Sequence, residues 1–389
     1  MQKRITIIGG AGHIGLPLGI LFAAEKKNVV LYDKNNSLIR KINKCQFPFV
    51  EKNGAKLLKK YKRRIIASTN KNYITSADVI IICIGTPVIN NKPDLINFFN
   101  LFKEIKHLLN PNQLIIIRSS IYPGTCEKVH QFLGKKFINI SYCPERVVQG
   151  KSIEELPKLP QIISGISDKA ISESTKLFNL ICKKTIVTSI LEAELIKLFS
   201  NSWRYINFSI ANEFYMICEN LGINFNNLRK KMIDGYERNK NIPTAGFAAG
   251  PCLFKDTMQL NVYLKKSFNL GTIATKINEG LPNFLYKKLL RKFKNKLKSK
   301  TIGILGVSFK ADIDDIRDSL AIKLLYLLKE KKLNVLFSDD YASLKKNVNK
   351  TQLINRSDII IIGSPHSVYK KLIIPKNKYL VDIWSLFEK

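Results

Sequence analysis

Gly10-Ala11-Gly12-His13-Ile14-Gly15 follows the apolar run Ile5 to Ile8 and leads directly into a helical stretch ending near Ala24. The spacing suits a loop that cradles a pyrophosphate. Gly10 permits the turn, Gly12 lets backbone approach the phosphates, and Gly15 lets the helix pack closely while its N-terminus faces the negative charge. Asp33 closes the next strand, 18 positions past Gly15, where a carboxylate accepts ribose hydroxyls and repels a 2′-phosphate. The expected cofactor is therefore NAD rather than NADP. His13 and Ile14 lie within the loop, and His13 is expected to pack over the phosphates without taking part in catalysis.

Three more clusters carry polar groups that packing alone does not call for. The first is Tyr142-Cys143-Pro144-Glu145-Arg146, after a short strand, where ligands of an open α/β sheet gather. The second is Glu194, Lys197 and Asn201 on a long helix; Lys197 and Asn201 are four apart and share a face. The third is Gly250-Pro251-Cys252-Leu253-Phe254-Lys255-Asp256, in which Cys252 opens a helix and Asp256 follows one turn later. A cysteine at a helix N-terminus is favoured as the thiolate. Taken singly, each cluster has an ordinary reading: a surface carboxylate, a salt-bridged helix face, and a buried small thiol beside an exposed Lys255-Asp256 pair.

The elements that must hold these groups can be read from the apolar pattern. Ile5 to Ile8, Val29 to Tyr32, Val79 to Ile84 and Leu114 to Ile117 are near-continuous apolar runs, as expected of parallel strands covered on both faces. From Leu191 to Leu221 the spacing becomes helical, with no Gly or Pro until Gly222, and helical character returns over Leu253 to Lys266 and beyond Pro282. Strand-then-glycine restarts at Thr301 to Gly306, with a helix expected over Ser319 to Lys331. An internal repeat relates Ser76-Ala77-Asp78-Val79-Ile80-Ile81-Ile82-Cys83 to Arg356-Ser357-Asp358-Ile359-Ile360-Ile361-Ile362-Gly363. The expected fold is α/β, two Rossmann-like doubly wound domains joined by a central helical domain with a long helix. The expected divisions are residues 1–190, 191–290 and 291–389. The basic stretch Lys287 to Lys300 marks the second junction and reads as a solvated helix face.

Composition sets the remaining bounds. The 389 residues, 45% apolar, are ample for two or three domains with cores and exclude a mostly disordered chain. Lys and Arg number 64 against 30 Asp and Glu, a net charge of +34. Only 12 of the 64 are Arg, and the lysines are dispersed among Asn and Ile. A lysine-coated surface around an anionic small ligand is therefore preferred to a nucleic-acid binder. The seven cysteines are an odd, widely spaced set with no CxxC pair, which argues against a disulfide framework or a zinc site, so no metal is expected. No run approaches the ~18 apolar residues of a membrane span, and MQKRITIIGG does not read as a signal peptide. A reducing cytoplasm is the expected address.

In this order along the chain, the glycine loop and the three clusters resemble the UDP-glucose/GDP-mannose dehydrogenase family, the nucleotide-sugar 6-dehydrogenases. The resemblance covers essentially the whole chain and takes in Pro93-Asp94-Leu95, Ser119-Ser120-Ile121-Tyr122-Pro123-Gly124-Thr125, Asn212-Glu213, and Phe309-Lys310 through Asp315-Ile316-Arg317-Asp318-Ser319. It implies an NAD-binding domain, a central region that makes a homodimer or higher homo-oligomer, and a C-terminal domain that helps bind a UDP-sugar. It implies oxidation of the sugar C6 alcohol to a carboxylate with two NAD and one water. Cys252 is then the nucleophile that carries a thiohemiacetal and a thioester, and Glu145 the base that delivers water to the thioester. Lys197 and Asn201 steady the oxyanion and touch substrate, and Asp256, with a water, assists deprotonation of the alcohol. The resemblance further puts Arg146, Gly250, Phe309 and Lys310 at the sugar nucleotide, Arg238 across a dimer at its diphosphate, and Thr86, Pro87 and Ser120 at the cofactor. Fixed donors aimed at an oxyanion typically supply about 3 to 4 kcal/mol each.

The departures from the family pattern concern the substrate more than the chemistry. Ser120 stands where Thr is usual and keeps the hydroxyl; Ile84-Gly85-Thr86-Pro87 replaces the commoner Val-Pro-Thr-Pro. Ala249-Gly250-Pro251-Cys252 replaces a loop that often has two glycines and then Ser or His, which stiffens it beside the sugar. The Cys-Pro-Glu-Arg form around Glu145 is closer to members acting on N-acetylated UDP-hexosamines. The alternatives are a UDP-glucose 6-dehydrogenase of the same mechanism, a two-electron hydroxy-acid dehydrogenase, and a non-catalytic polyanion binder.

Overall fold

A computed structural model describes residues 3–89, 92–248, 250–265 and 267–387. The chain divides into two compact units, Met1–Ser200 and Asn201–Lys389. Ala249, singled out in the loop before Cys252, lies outside the described residues, as does Lys266 at the expected end of the following helix.

In the first unit the main elements in chain order are β1 (Arg4–Ile8), α1 (Gly15–Ala24), β2 (Asn28–Tyr32), β3 (Ile65–Ser68), β4 (Val79–Ile82), β5 (Leu114–Ile117), α2 (Thr125–Leu133), β6 (Ile140–Tyr142), β7 (Gln161–Gly165), α3 (Asp168–Phe178) and β8 (Thr185–Val187), with further helices and two two-residue strands between. The long helix α4 (Ile190–Leu221) follows and runs through the division at residue 200. The strands form one sheet in the order β8-β7-β6-β5-β4-β1-β2-β3. Pairing is parallel from β3 through to β6, antiparallel between β6 and β7, and parallel again between β7 and β8.

The apolar runs behave as their composition requires. Every residue of β4 and β5 is buried, because alternate side chains feed a core on each face of the sheet. Ile5, Ile7, Val79 and Ile81 pack with Leu16, Leu18 and Phe22 of α1, while Ile8, Ile80 and Ile82 pack on the opposite face with Phe98 and Phe102.

In the second unit the elements in chain order are α5 (Leu253–Tyr263), α6 (Asn269–Phe293), β9 (Thr301–Leu305), α7 (Leu320–Glu330), β10 (Asn334–Ser338), β11 (Ile359–Ile362) and β12 (Tyr379–Val381). A four-stranded parallel sheet runs β10-β9-β11-β12. Ser319 caps α7 through Ile322 N, so this helix begins where the sequence places it.

The internal repeat has a structural meaning. Asp78 precedes β4 and accepts Arg4 N of the neighbouring β1 at 2.7 Å; Asp358 precedes β11 and accepts Thr301 N of the neighbouring β9 at 2.9 Å. Each sheet thus ties its first strand down with the same carboxylate.

One expectation is corrected. Helix resumes at Asn269 and passes through Pro282, rather than starting beyond it. Proline removes a backbone donor and disfavours a helix interior, but here α6 buries one face through Ala274, Asn278, Leu281, Leu285 and Leu289, and that packing outweighs the local penalty. The basic stretch is the end of α6 and a 3₁₀ run Lys294–Ser299, with Leu289 and Leu297 turned inward. Among the described residues no helix is long and apolar enough to cross a membrane.

The helical part of the second unit is fastened by amides. Asn212 on α4 donates to Asn278 Oδ1 at 2.8 Å and accepts Gly246 N at 2.8 Å, while Asn278 donates to Tyr205 O at 3.0 Å. Asn212 and Asn278 are fully buried. Asn212→Ala should lower stability by about 1–3 kcal/mol, the usual cost of leaving buried polar groups unmatched, and a lowered urea midpoint will measure it.

Candidate active site

The order of strands reverses between β1 and β4, and ligands of such sheets bind outside the carboxyl ends of the strands at that point. The glycine loop sits there. A Cβ on Gly10 would lie 2.6 Å from Leu31 Cα, and one on Gly15 would lie 2.5 Å from Gly9 O, so neither position admits a side chain. A Cβ on Gly12 would have its nearest neighbour at 3.4 Å, leaving that face open to a ligand. Gly9 N and Gly10 N both donate to Tyr32 O at 3.0 Å, which binds the loop to the end of β2.

Asp33 is fixed at both oxygens, Oδ2 by Ala11 N at 3.2 Å and Oδ1 by Asn35 N at 2.9 Å, and each oxygen keeps acceptor capacity for a ribose hydroxyl. Beside it is a cavity of about 450 Å³ lined by Gly9, Gly12, Tyr32, Asp33, Ile84 and Gly85, among others. The glycine loop, the carboxylate and this cavity fit a dinucleotide. Ile14 precedes the first turn of α1. The His13 ring lies 3.9 Å from that of Phe49, with Gln149 Nε2 at 3.2 Å from its Nδ1. Thr86 is buried and its hydroxyl donates to Ser120 O; Pro87 is exposed.

Glu145 is not a surface carboxylate, being 8% exposed. Its Oε2 accepts Arg118 Nε at 3.0 Å and also Arg118 Nη2, and its Oε1 accepts Arg146 N at 2.7 Å and Val147 N at 3.0 Å. Arg118 comes from the end of β5, completes its bonding through Nη1 to Cys143 O and Gln161 Oε1, and lies over the Phe178 ring. The Arg146 guanidinium donates to Pro160 O, and burial lowers its pKa.

On α4 the three polar residues have separate surroundings. Glu194 is buried and caps α2, accepting Gly124 N at 2.7 Å and Cys126 N at 3.0 Å; burial raises its pKa against these bonds. Lys197 and Asn201 are both buried, one turn apart on the helix. Asn201 Nδ2 donates to Asp256 Oδ2 at 2.5 Å, which ties Asn201 to Asp256 of the third cluster within the second unit.

The third cluster reverses its ordinary reading. Asp256 is buried, and of the seven cysteines Cys252 alone is exposed. Cys252 precedes α5, and its carbonyl accepts Asp256 N at 3.0 Å. Lys255 Nζ lies 3.4 Å from Asp256 Oδ1. Gly250 has φ of +102°, and a Cβ there would stand 2.3 Å from the Phe309 ring, so two expected substrate residues are in contact and only glycine fits. Arg317 is held by Asp315, the largest cause of its raised pKa, with a smaller contribution from the nearby Cys252 sulfur. Lys310 is half-buried, its carbonyl accepting Ser308 Oγ at 3.0 Å. Arg238 is exposed on a 3₁₀ turn, with Tyr236 as its polar contact.

Several groups escaped the sequence argument. Arg118 was signalled only by a charge closing an all-apolar strand, and its partner is 27 residues away. Gln149 and Gln161 carried no signal. In the second unit Asp339 follows β10 as Asp33 follows β2, and it is nearly inaccessible. It accepts Val307 N, Ser308 N, Tyr341 N, Ala342 N and His366 Nε2. Burial pushes its pKa up, but His366 and the backbone donors outweigh that and hold it at about 2. Asp312 N donates to His366 Nδ1 at 2.8 Å, so the imidazole proton sits on Nε2. Among the described residues no cluster could hold a metal.

Comparison with known proteins agrees with this geometry. Residues 3–181 match the NAD binding domain of the UDP-glucose/GDP-mannose dehydrogenase family, 191–279 its central domain and 303–389 its UDP binding domain. A UDP-N-acetyl-D-mannosamine dehydrogenase of Pyrococcus horikoshii is 31% identical, over 95% of this chain and 91% of that protein. The structure of a UDP-D-ManNAc dehydrogenase from Pyrococcus horikoshii superposes with a TM-score of 0.91 at 29% identity, over 99% of this chain and 96% of that one. A UDP-glucose dehydrogenase of Pyrobaculum islandicum shares the fold, with a TM-score of 0.88 at 21% identity over 98% and 94% of the two chains. The fold is thus shared by dehydrogenases named for different sugars, and this chain is an NAD-dependent nucleotide-sugar dehydrogenase of the UDP-glucose/GDP-mannose dehydrogenase family.

Proposed function

We propose that this enzyme oxidises the C6 alcohol of a UDP-N-acetylhexosamine, UDP-N-acetylmannosamine foremost, to the uronate through a thioester on Cys252. The observation that carries the reading is the environment of that sulfur. Cys252 is exposed at a helix N-terminus beside Arg317, in a loop whose Gly250 packs on Phe309. A thiol can hold an acyl group and still leave from it at neutral pH. The choice of sugar is supported by the names of the Pyrococcus relatives and by the Cys143-Pro144-Glu145-Arg146 form.

When bound, NAD would supply the hydride acceptor for each oxidation, and the chain's own residues supply binding, orientation and proton transfer. Gly10, Gly12, His13, Ile14, Gly15, Asp33, Thr86, Pro87 and Ser120 are assigned to holding NAD. Asp256 assists loss of the C6 hydroxyl proton. Cys252 adds to the aldehyde carbon as a thiohemiacetal, and Lys197 and Asn201 stabilise the oxygen that gathers charge. After the second oxidation the same sulfur carries a thioester. Glu145 takes a proton from water as its oxygen bonds to the acyl carbon, and the C–S bond breaks to return the thiolate. Over the cycle the alcohol, two NAD⁺ and one water give a carboxylate, two NADH and three protons.

Arg146, Gly250, Phe309 and Lys310 are assigned to the sugar nucleotide, and Arg238 to its diphosphate across a homodimer. The face of α4 that carries exposed Phe199, Trp203, Ile210, Phe214 and Ile217 supports such an assembly, since a row of large exposed apolar side chains on one helix favours a protein partner. The proposed domains are residues 1–190, 191–290 and 291–389, in a reducing compartment that keeps Cys252 as a thiol.

NADH counted per UDP-N-acetylmannosamine consumed should be two; a count of one would reject the thioester route in favour of a two-electron dehydrogenase. A parallel screen with UDP-N-acetylglucosamine, UDP-glucose and GDP-mannose should rank UDP-N-acetylmannosamine highest in kcat/KM. Cys252→Ala should reduce uronate formation to background while NAD binding, followed by fluorescence titration, stays unchanged. Glu145→Gln should slow hydrolysis and leave a thioester that adds the mass of the acyl substrate to the protein.

A further inference from the structure

Arg118 is the bulkiest side chain fully buried among the described residues, and it holds Glu145 through two nitrogens on one oxygen. The other carboxylate oxygen is taken by Arg146 N and Val147 N. Arg118 cannot follow a moving partner, because Cys143 O and Gln161 Oε1 hold its Nη1 and the Phe178 ring lies beneath it. Gln161 is fixed in turn by donating to Pro144 O and Ile162 O. This amounts to a built clamp on a single carboxylate.

We propose that Arg118 is a positioning residue for the hydrolytic half of the reaction, fixing the Glu145 carboxylate in place through direct charge contact. The proposal rests on the reading of Glu145 as the base that activates water. Proton transfer from water needs the carboxylate, so whatever keeps Glu145 ionised sets the acid limb of hydrolysis. An opposite charge in direct contact lowers a carboxyl pKa by about 1–3 units, and loss of that charge in a buried site raises it correspondingly.

The other titratable groups around the clamp are silent in the same pH range. Burial pushes the Cys83 and Cys143 thiols up to about 12 and the Cys182 thiol to about 11, against the opposing pull of Arg118. Arg146, the remaining charged neighbour, stays cationic, its pKa lowered from the guanidinium range by burial.

The test follows thioester decay by mass spectrometry and NADH release by absorbance across about pH 5 to 9, with UDP-N-acetylmannosamine and excess NAD. In Arg118→Met the acid limb of hydrolysis should move up by about 1–3 units, with thioester building up at pH 7 and the first NADH formed at the wild-type rate. Arg118→Lys, which restores the charge, should bring the limb back toward its wild-type position. A limb in Arg118→Met that stays at the wild-type pH overturns the proposal. Should Arg118→Met fail to fold, Gln161→Met loosens the clamp from behind and should move the limb in the same direction by less; an unmoved limb there overturns it equally. If Glu145→Gln hydrolyses the thioester at the wild-type rate, the reading of Glu145 as the base falls. If Glu145→Gln is blocked and the Arg118→Met limb is unmoved, the clamp alone falls.

Discussion

A guanidinium carried wholly inside a protein must find an acceptor for its N–H groups, and the requirement at Arg118 orders much of the first unit. The acceptors come from the Glu145 loop, the end of β6 and the start of β7. Removing one partner from such a buried pair typically costs about 3–5 kcal/mol, because the other charge is left unmatched. The antiparallel turn between β6 and β7 belongs to the same arrangement, since Gln161 opens β7 and reaches back to Pro144. A sheet that began as a plain parallel stack thus changes direction where the charged loop is held.

The second unit solves a different problem with uncharged groups. Gly246 is drawn in by Asn212 on α4, and Gly246 and Gly250 each pack on a ring: a Cβ on Gly246 would lie 2.3 Å from Trp384, and one on Gly250 would lie 2.3 Å from Phe309. Gly250, two residues before the exposed sulfur of Cys252, is thus held against the Phe309 ring. Asp256, one turn into α5, is buried by the same helix and bonded to Asn201.

Features whose cause is local were legible in the sequence. The glycine loop, the four apolar strands β1, β2, β4 and β5, the uninterrupted α4 and the start of α7 at Ser319 all depend on neighbours in the chain. Features that depend on distant partners were not. Pro282 argued against a helix that packing on one face nevertheless keeps. The three-residue strands β6 and β8 are too short to carry a pattern. Glu194 stood in the sequence as a polar neighbour of Lys197 and Asn201, yet its carboxylate caps a helix 70 and 68 residues earlier, at Gly124 and Cys126. The candidate residues were chosen by type and order, while the clamp on Glu145 and the exposure of Cys252 required the fold.

The two Rossmann-like sheets place an aspartate after the second strand in each case, Asp33 after β2 and Asp339 after β10, and they use it in opposite ways. Asp33 spends one contact per oxygen on backbone and keeps the rest facing outward. Asp339 is consumed by five donors from its own domain. Both oxygens of Asp339 are thus taken from within its own domain, so the second sheet repeats the position of the carboxylate and not its spare acceptor capacity.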